Sequence, residues 1–106
     1  MKLVATVYQE TAAYPKDERY GLAIQTRRAA VSIPSNIAEG AGRNSTRELA
    51  QFLGVASGSL AELETEIELG IMLNYLPKGA DVQAQLGRVG RLLHALRASV
   101  REMTEE

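Results

Sequence analysis

Apolar residues recur every three or four positions along most of this sequence, a spacing typical of amphipathic helices. Four segments show it: residues 1–13, a second from between Asp17 and Leu22 to about Gly40, a third from Ser45 to about Leu76, and a fourth from Asp81 to the C-terminus. No segment alternates with the period of two that strands require. Because short connectors join the segments, the pattern predicts an all-α, antiparallel up-down-up-down four-helix bundle, forming one domain over residues 1–106.

The inward face of each long helix follows from this spacing. Helix two should bury Leu22, Thr26, Ala29, Ala30, Ile33 and Ile37. Helix three should bury Leu49, Leu53, Ala56, Leu60, Leu63, Ile67 and Ile71. Helix four has a strict heptad seam of Val82, Leu86, Val89, Leu93, Leu96, Val100 and Met103. The first segment begins inside its own pattern with no capping residue before it, which favours a longer first helix.

Helix two contains a proline in mid-pattern, within Arg27–Gly40 (RRAAVSIPSNIAEG). Pro34 removes one backbone hydrogen bond, but the apolar phase continues after it, so we expect one helix kinked at Pro34. Gly40 or Gly42 should then end the helix in the left-handed conformation.

The two helices that follow the last two connectors begin with recognisable residues. Ser45 and Glu48 have the spacing of a capping box at the start of helix three. Pro77, Lys78 and Gly79 form the last connector, and both Pro77 and Asp81 suit the first turn of helix four.

Helix three carries a second face that its core does not require. It consists of Gly54, Ser57, Gly58, Ala61 and Thr65. Small residues allow close helix approach, whereas the alternative is that these are tolerated surface glycines, which weaken a helix. Together with Phe52, Val55, Leu69 and Met72 beside the core arc, the column predicts a homo-oligomer.

The run from Tyr20 to Leu76 resembles the 23S rRNA intervening-sequence protein family, also called four-helix bundle proteins. The resemblance rests on RRAAVSIPSNIAEG followed by GSLAELET. It implies a left-handed antiparallel four-helix bundle that assembles as a ring-like homopentamer, in a family without an established activity. The similar accessory variability protein of diversity-generating retroelements acts as a basic pentamer, which implies RNA, DNA or a nucleic-acid enzyme as a partner.

Composition and net charge limit the classes of function that this protein can have. The chain has 106 residues, no cysteine and a formal net charge of −1, whereas dedicated nucleic-acid binders usually have a basic excess. Missing cysteine removes thiolate metal sites and fits the cytoplasm. No run approaches the roughly 20 apolar residues of a membrane span, so we expect no membrane partner.

No residue set specifies a reaction, and we expect no catalytic, metal or cofactor site. Glu62, Glu64, Glu66 and Glu68 suggest a carboxylate cluster, but bundle di-metal centres pair Glu with a His three residues later. The only histidine, His94, lacks that spacing. A solvated or ion-paired face explains these glutamates better.

Polar residues flank Pro34 and form the candidate interface set. Arg27 and Arg28 precede the proline, and Asn36 and Glu39 follow it. One interpretation is a polar site where the kink opens the bundle. The favoured alternative is that Arg28 and Glu39 form ion pairs with glutamates of helix three, within or between subunits. The complete candidate set is Arg27, Arg28, Pro34, Asn36, Glu39, Gly40, Gly54, Gly58, Glu62 and Glu66.

Arginines provide the best candidate nucleic-acid contacts. They are Arg43, Arg47, Arg88, Arg91, Arg97 and Arg101. The last four lie on two flanks of the helix-four seam, so only a ring would gather one flank from each subunit into a basic rim. The sequence therefore favours a non-enzymatic oligomeric adaptor or scaffold, with a nucleic-acid-binding protein as the alternative.

Overall fold

The computed structural model describes residues 1–18, 20–78 and 81–105, and within these ranges it contains four α-helices and no strand. The helices are α1 (Lys2–Thr11), α2 (Leu22–Ala41), α3 (Thr46–Met72) and α4 (Asp81–Glu105), with a 3₁₀ turn at Lys16–Glu18. Each helix packs against the next, and α1 also contacts α4. The all-helical prediction is confirmed, and the packing is consistent with a helical bundle.

The core follows the predicted faces of α2 and α3 closely. Thr26, Ala29, Ala30 and Ile33 are buried on α2, while Leu22 and Ile37 pack at the edge of the core. On α3 the fully buried side chains include Leu53, Leu63 and Ile67. The buried Thr26 hydroxyl donates to the Leu22 carbonyl at 2.7 Å, so a polar side chain occupies the core without an unpaired donor.

The predicted seam of α4 is wrong at Leu96 and Met103. Val82 is buried, but Leu96, two heptads later, is 36% exposed, and Met103 is 58% exposed. An α-helix drifts by about 20° per heptad relative to a 3.5-residue repeat, so positions spaced by seven residues rotate steadily out of the core. The other half of the seam stays buried: Leu86, Leu93 and Val100. Leu86 lies on the other side of the line from the helix axis to the core, so the same drift turns the later two residues toward the core.

The end of α2 also differs from the prediction. Gly42 follows the last residue of α2 with φ −82° and ψ −6°, which is right-handed helical geometry, so the expected left-handed stop is wrong. Gly40 lies inside the helix and is buried. A Cβ added there would lie 2.8 Å from the Phe52 Cβ and 3.1 Å from a Leu49 methyl carbon. Close approach of α3 is therefore the reason for glycine at this position.

The left-handed residue is Asn74, after α3. Its φ is 65°, the Tyr75 amide donates to the Gly70 carbonyl at 2.8 Å, and the Asn74 amide donates to the Ile71 carbonyl at 3.0 Å. This pair of bonds is a Schellman motif, in which asparagine is the usual substitute for glycine. It ends α3 at Met72, earlier than the predicted end near Leu76.

A cluster around Tyr14 ties the chain connectors together at this end of the molecule. The Tyr14 and Tyr75 ring centroids are 5.2 Å apart. The Tyr75 hydroxyl donates to a Glu18 carboxylate oxygen at 3.0 Å, and the other Glu18 oxygen accepts from the Leu22 amide at 3.4 Å. Burial, with the nearby Glu10 carboxylate, raises the pKa of Tyr14 to about 12. The cluster fixes the approach of α1 and α2 to the end of α3.

Single residues decide the remaining predictions about where the helices begin and whether α2 is continuous. The Ser45 hydroxyl accepts from the Glu48 amide at 3.1 Å, which confirms Ser45 as the cap of α3. Pro34 lies within an uninterrupted α2, confirming one helix rather than two. Asp81 starts α4, but Pro77 precedes the helix, so its predicted place in the first turn is wrong. Gly79 lies outside the described residues. No helix in the described ranges is long and apolar enough to cross a membrane.

Candidate functional site

An open groove of about 830 Å³ lies between α2 and α3, here called the α2–α3 groove. Its lining residues are Gln25, Arg28, Ala29, Ser32, Gly58, Ser59, Ala61, Glu62, Thr65, Glu66 and Leu69. Four of the predicted interface residues are therefore brought together here: Arg28, Gly58, Glu62 and Glu66. The sequence placed them on separate helices, and the packing of α2 on α3 joins them.

A chain of polar side chains closes the floor of this groove. The Ser32 and Ser59 hydroxyl oxygens are 2.8 Å apart and share a hydrogen bond across the two helices. The Asn36 amide nitrogen donates to the Ser32 carbonyl at 2.8 Å and to the Ser32 hydroxyl at 2.9 Å. Asn36 thus positions Ser32, and Ser32 links α2 to α3. Sequence reasoning missed Ser59, because a lone serine on a helix has no motif that marks its partner.

Glu66 is a groove residue whose negative charge is unfavourably placed. Its Oε1 atom is buried and has no hydrogen-bond partner among the described residues. Burial, and then the neighbouring Glu62 carboxylate, raise the pKa of Glu66 above its ordinary value. The charged carboxylate is therefore less stable here than in water, and a cation placed beside it would stabilise it.

The polar residues near Pro34 do not all meet in one place within the chain: Arg28 lines the α2–α3 groove and Asn36 bonds to Ser32 in its floor, whereas Arg27 and Glu39 have partners elsewhere. The Arg27 guanidinium donates to the Thr11 hydroxyl at 2.7 Å and to the Tyr8 carbonyl at 3.3 Å. It also lies 4.7 Å from the centre of the Tyr8 ring. Arg27 therefore joins α2 to α1.

Glu39 pairs with a residue of its own helix end. The Arg43 guanidinium lies 2.6 Å from a Glu39 oxygen and forms an ion pair with it. Arg43 also lies 5.1 Å from the centre of the Phe52 ring. The predicted pairing of Arg28 and Glu39 with glutamates of α3 is thus wrong within one chain. Glu39 is one helical turn from Arg43, and Arg28 lines the groove with Glu62 and Glu66 without reaching them.

Helix α3 presents a second seam that is exposed along its whole length. It consists of Val55, Gly58, Glu62, Thr65, Leu69 and Met72, here called the α3 outer stripe. The spacings alternate between three and four, as in the seam of a coiled coil. Val55 is 52% exposed and Met72 is 71% exposed, and a Cβ added at Gly58 would meet no atom within 4 Å. Of the predicted second face of α3, Gly58, Ala61 and Thr65 are therefore exposed in the single chain, whereas Gly54 and Ser57 are partly covered on the side of α4.

Helix α4 presents a similar exposed row, here called the α4 outer stripe. It consists of Arg88, Leu92, Leu96, Ser99 and Met103. Leu92 is 61% exposed. Arg91 lies on the edge of this row, with its guanidinium over Gly87, where an added Cβ would lie 3.4 Å from an Arg91 nitrogen. Leu96 and Met103, which leave the core by the drift described above, supply most of the apolar surface.

The other two arginines of α4 lie on its opposite flank, as the periodicity predicts. Arg97 and Arg101 line a groove of about 270 Å³ between α3 and α4, together with His94, Ser57 and Glu64. A Cβ added at Gly54 would lie 3.9 Å from an Arg97 nitrogen. The glycine column of α3 thus has two roles: Gly54 faces Arg97, while Gly58 faces solvent. Arg47 is exposed on the first turns of α3, apart from both arginine pairs.

Two further observations bear on chemistry. In the described part of the chain, no three acidic or histidine side chains come together in a group that could hold a metal ion. An apolar depression of about 600 Å³ lies beside the α2–α3 groove, lined by Tyr8, Tyr20, Ile24, Arg27, Arg28, Val31 and Ser32. The exposed surface therefore offers grooves and apolar stripes suited to binding a macromolecule.

The family assignment rests on a match over most of the chain. Comparison with curated proteins gives no match. The sequence profile described as 23S rRNA-intervening sequence protein matches residues 1–95. This range includes α1, α2, α3 and more than half of α4, and it contains the RRAAVSIPSNIAEG and GSLAELET segments. The chain belongs to the 23S rRNA-intervening sequence protein family.

Proposed function

We propose that this protein is a non-enzymatic, homo-oligomeric helical-bundle scaffold whose subunits associate through the α3 outer stripe. The observation that carries the proposal is the continuous exposed seam from Val55 to Met72. Single exposed apolar residues are normal on a protein surface, but a seam that continues for about 27 Å along one helix is typical of a helix–helix contact. The left-handed antiparallel bundle and the homopentameric ring implied by the family are parts of the same proposal.

The small residues of α3 support this use. Gly58 and Ala61 leave the helix backbone open to close approach by another helix, while Val55, Leu69 and Met72 provide apolar area on either side. Glycine in a helix interior costs about 0.5–1 kcal/mol relative to alanine. A contact that requires the missing side chain explains Gly58 better than chance does, because nothing within the chain occupies that space.

The scaffold proposal is tested by the mass of the particle in solution. Light scattering and sedimentation at micromolar concentration should give a stable oligomer. Leu69→Glu should dissociate it, because a charge would be desolvated within an apolar contact. Val31→Glu, an exposed apolar residue of α2 outside the stripe, is the matched control and should leave the mass unchanged. A wild-type protein that stays monomeric contradicts the proposal.

A second function is favoured by the convergence of Arg97, Arg101 and His94 beside α3. These groups line one groove with only Glu64 as an acidic neighbour in it, so a ring would repeat a basic flank once per subunit. On this alternative the partner is RNA, DNA or an enzyme that acts on them.

Salt dependence separates the second function from the first. If several phosphates are contacted, binding of mixed-sequence RNA, measured by fluorescence anisotropy, should fall steeply between about 50 and about 200 mM salt. Arg97→Ala should weaken that binding more than Lys16→Ala, an exposed cation outside the candidate contacts. Absence of binding at the lower salt concentration rules out this function and leaves the scaffold proposal untouched.

A further inference from the structure

The two outer stripes have complementary chemistry. Each is a row of exposed apolar and polar residues on one helix face, about 27 Å long on α3 and about 24 Å long on α4. The α3 outer stripe contains Glu62 and borders Glu66, whereas the α4 outer stripe begins with Arg88 and borders Arg91. One row therefore carries acidic charge on its edge and the other carries basic charge.

Among the described residues, no cation pairs with Glu62 or Glu66. Glu66 Oε1 is buried and unpartnered among the described residues, although Arg28 lines the same groove. Two neighbouring carboxylates with one buried oxygen are better stabilised by a guanidinium than by water, because a guanidinium donates in a planar fork that matches a carboxylate. Arg88 and Arg91 are exposed and form no ion pair within the described ranges.

The two outer stripes are also placed so that two different neighbouring subunits can contact them. Arg97 and Arg101 mark the flank of α4 that faces α3, and the α4 outer stripe lies on the opposite flank of the same helix. A contact between like stripes about a two-fold axis would bring Glu62 and Glu66 of one copy near those of the other. Like charges brought together in this way oppose association.

We infer that subunits associate head to tail, with the α4 outer stripe of one copy seated on the α3 outer stripe of the next, so that Arg88 reaches Glu62 and Glu66 in the α2–α3 groove. This deepens the scaffold proposal and rests on it. The contact is heterologous: each subunit offers one acidic and one basic face, and repetition gives a ring if the rotation closes. The groove is complete only when a second copy supplies the arginine.

Charge exchange tests the pairing directly. Glu62→Lys and Arg88→Glu change exposed residues, so both variants should fold, which circular dichroism checks. Each should weaken assembly about 10-fold or more, measured as the protein concentration at half-dissociation in sedimentation, because like charges then meet in the contact. Glu68→Lys and Arg47→Glu, exposed charges outside both stripes, are the controls and should assemble like the wild type.

The decisive measurements restore the charge pairing. The double variant Glu62→Lys/Arg88→Glu should recover assembly to within about threefold of the wild type, since its exchanged charges again attract. An equimolar mixture of the two single variants should assemble better than either variant alone, because unlike neighbours pair opposite charges. In a five-membered ring one junction must still join two copies of the same variant, so the mixture should stay weaker than the wild type.

The outcomes separate this inference from the scaffold proposal. A monomeric wild type defeats the scaffold proposal itself. An oligomeric wild type whose single variants assemble normally defeats only the head-to-tail pairing. Loss in the single variants without recovery in the double variant also overturns it, because the two residues would then act in separate contacts.

Discussion

The two faces of α3 have similar side chains and opposite surroundings. Leu63 lies on the inner face and is fully buried, whereas Leu69, less than two turns later, lies on the outer stripe and is 41% exposed. Gly70 is packed against Tyr14 and Leu76, whereas no atom would lie within 4 Å of a Cβ added at Gly58. The inner face holds the chain together. The amphipathic pattern thus accounts for the inner half of this helix, and the outer half is the surface that we propose as a subunit contact.

Truncating a leucine on each face of α3 should give the largest difference in the free energy of unfolding. Leu63→Ala removes a fully buried side chain and should lower the free energy of unfolding by about 2–5 kcal/mol. Leu69→Ala should lower it by less than about 1 kcal/mol when measured at a concentration where the protein is monomeric. Denaturant unfolding followed by circular dichroism gives both values. Equal losses would mean that the outer face is packed within one chain.

Glycine substitution gives the second comparison. An added Cβ at Gly70 would meet the Tyr14 hydroxyl and lie 3.3 Å from a Leu76 methyl carbon, so Gly70→Ala should cost about 1–3 kcal/mol. Gly58→Ala meets nothing within the chain and should stabilise the monomer by about 0.5–1 kcal/mol. Thermal unfolding measures both.

The same Gly58→Ala variant should weaken self-association, since a methyl group would enter the proposed close contact. Sedimentation of this variant therefore distinguishes a glycine required by a neighbouring subunit from a tolerated surface glycine. Stronger or unchanged assembly would favour the second explanation.

Removing a hydroxyl group on each side of α3 should give a smaller difference in the free energy of unfolding. Ser59→Ala removes the hydrogen bond to Ser32 in the groove floor and should cost about 1 kcal/mol. Thr65→Val is the matched change on the outer stripe, where the hydroxyl donates to the Ala61 carbonyl at 3.1 Å in an exposed position. It should change the unfolding free energy by less than about 0.5 kcal/mol. A reversal of this order would show that the groove floor is solvated.

The smallest expected effect is a pH dependence at Glu66. Burial raises the pKa of Glu66 in the folded state, so the folded protein holds this proton more tightly than the unfolded chain does. The resulting stabilisation is present below the unfolded pKa and is lost as pH rises through the folded pKa.

Glu66→Gln should therefore equal the wild type in acid, after allowance for a constant offset, and exceed it increasingly toward neutral pH. The measurement is the difference in unfolding free energy across pH, at a concentration where the protein is monomeric. At assembling concentrations the gain should shrink, because Arg88 of a second copy would stabilise the carboxylate. A difference independent of pH would contradict the burial of Glu66.

Much of the fold could be predicted because it depends on local signals. Helix period identified the four helices and the inward faces of α2 and α3, and Ser45 was recognisable as a cap from its spacing to Glu48. The resemblance carried by RRAAVSIPSNIAEG led to the correct family. The candidate site was predicted only in part: Arg28, Gly58, Glu62 and Glu66 meet in one groove with Asn36 at its floor, but Arg27 and Glu39 serve two separate contacts.

The errors have different physical causes, and only that at Gly40 depended on the distance between helices. Gly40 was expected to serve the backbone conformation, and its buried contact with Phe52 exists only because α3 approaches there. Asn74 ends α3 as glycine would, a substitution that the chain pattern alone does not distinguish from an ordinary polar residue. Leu96 and Met103 belong to the heptad seam by spacing, yet helical drift turns them to the surface.

The sequence by itself determined where the helices form, which faces of α2 and α3 turn inward, and the family, because these depend on residues within a few turns of one another. Only the tertiary structure decided that Arg27 binds α1, that Ser32 meets Ser59, and that α3 and α4 each keep an exposed stripe with opposite charge. These features depend on how far each helix is rotated about its own axis, which packing against its neighbours sets and local spacing does not.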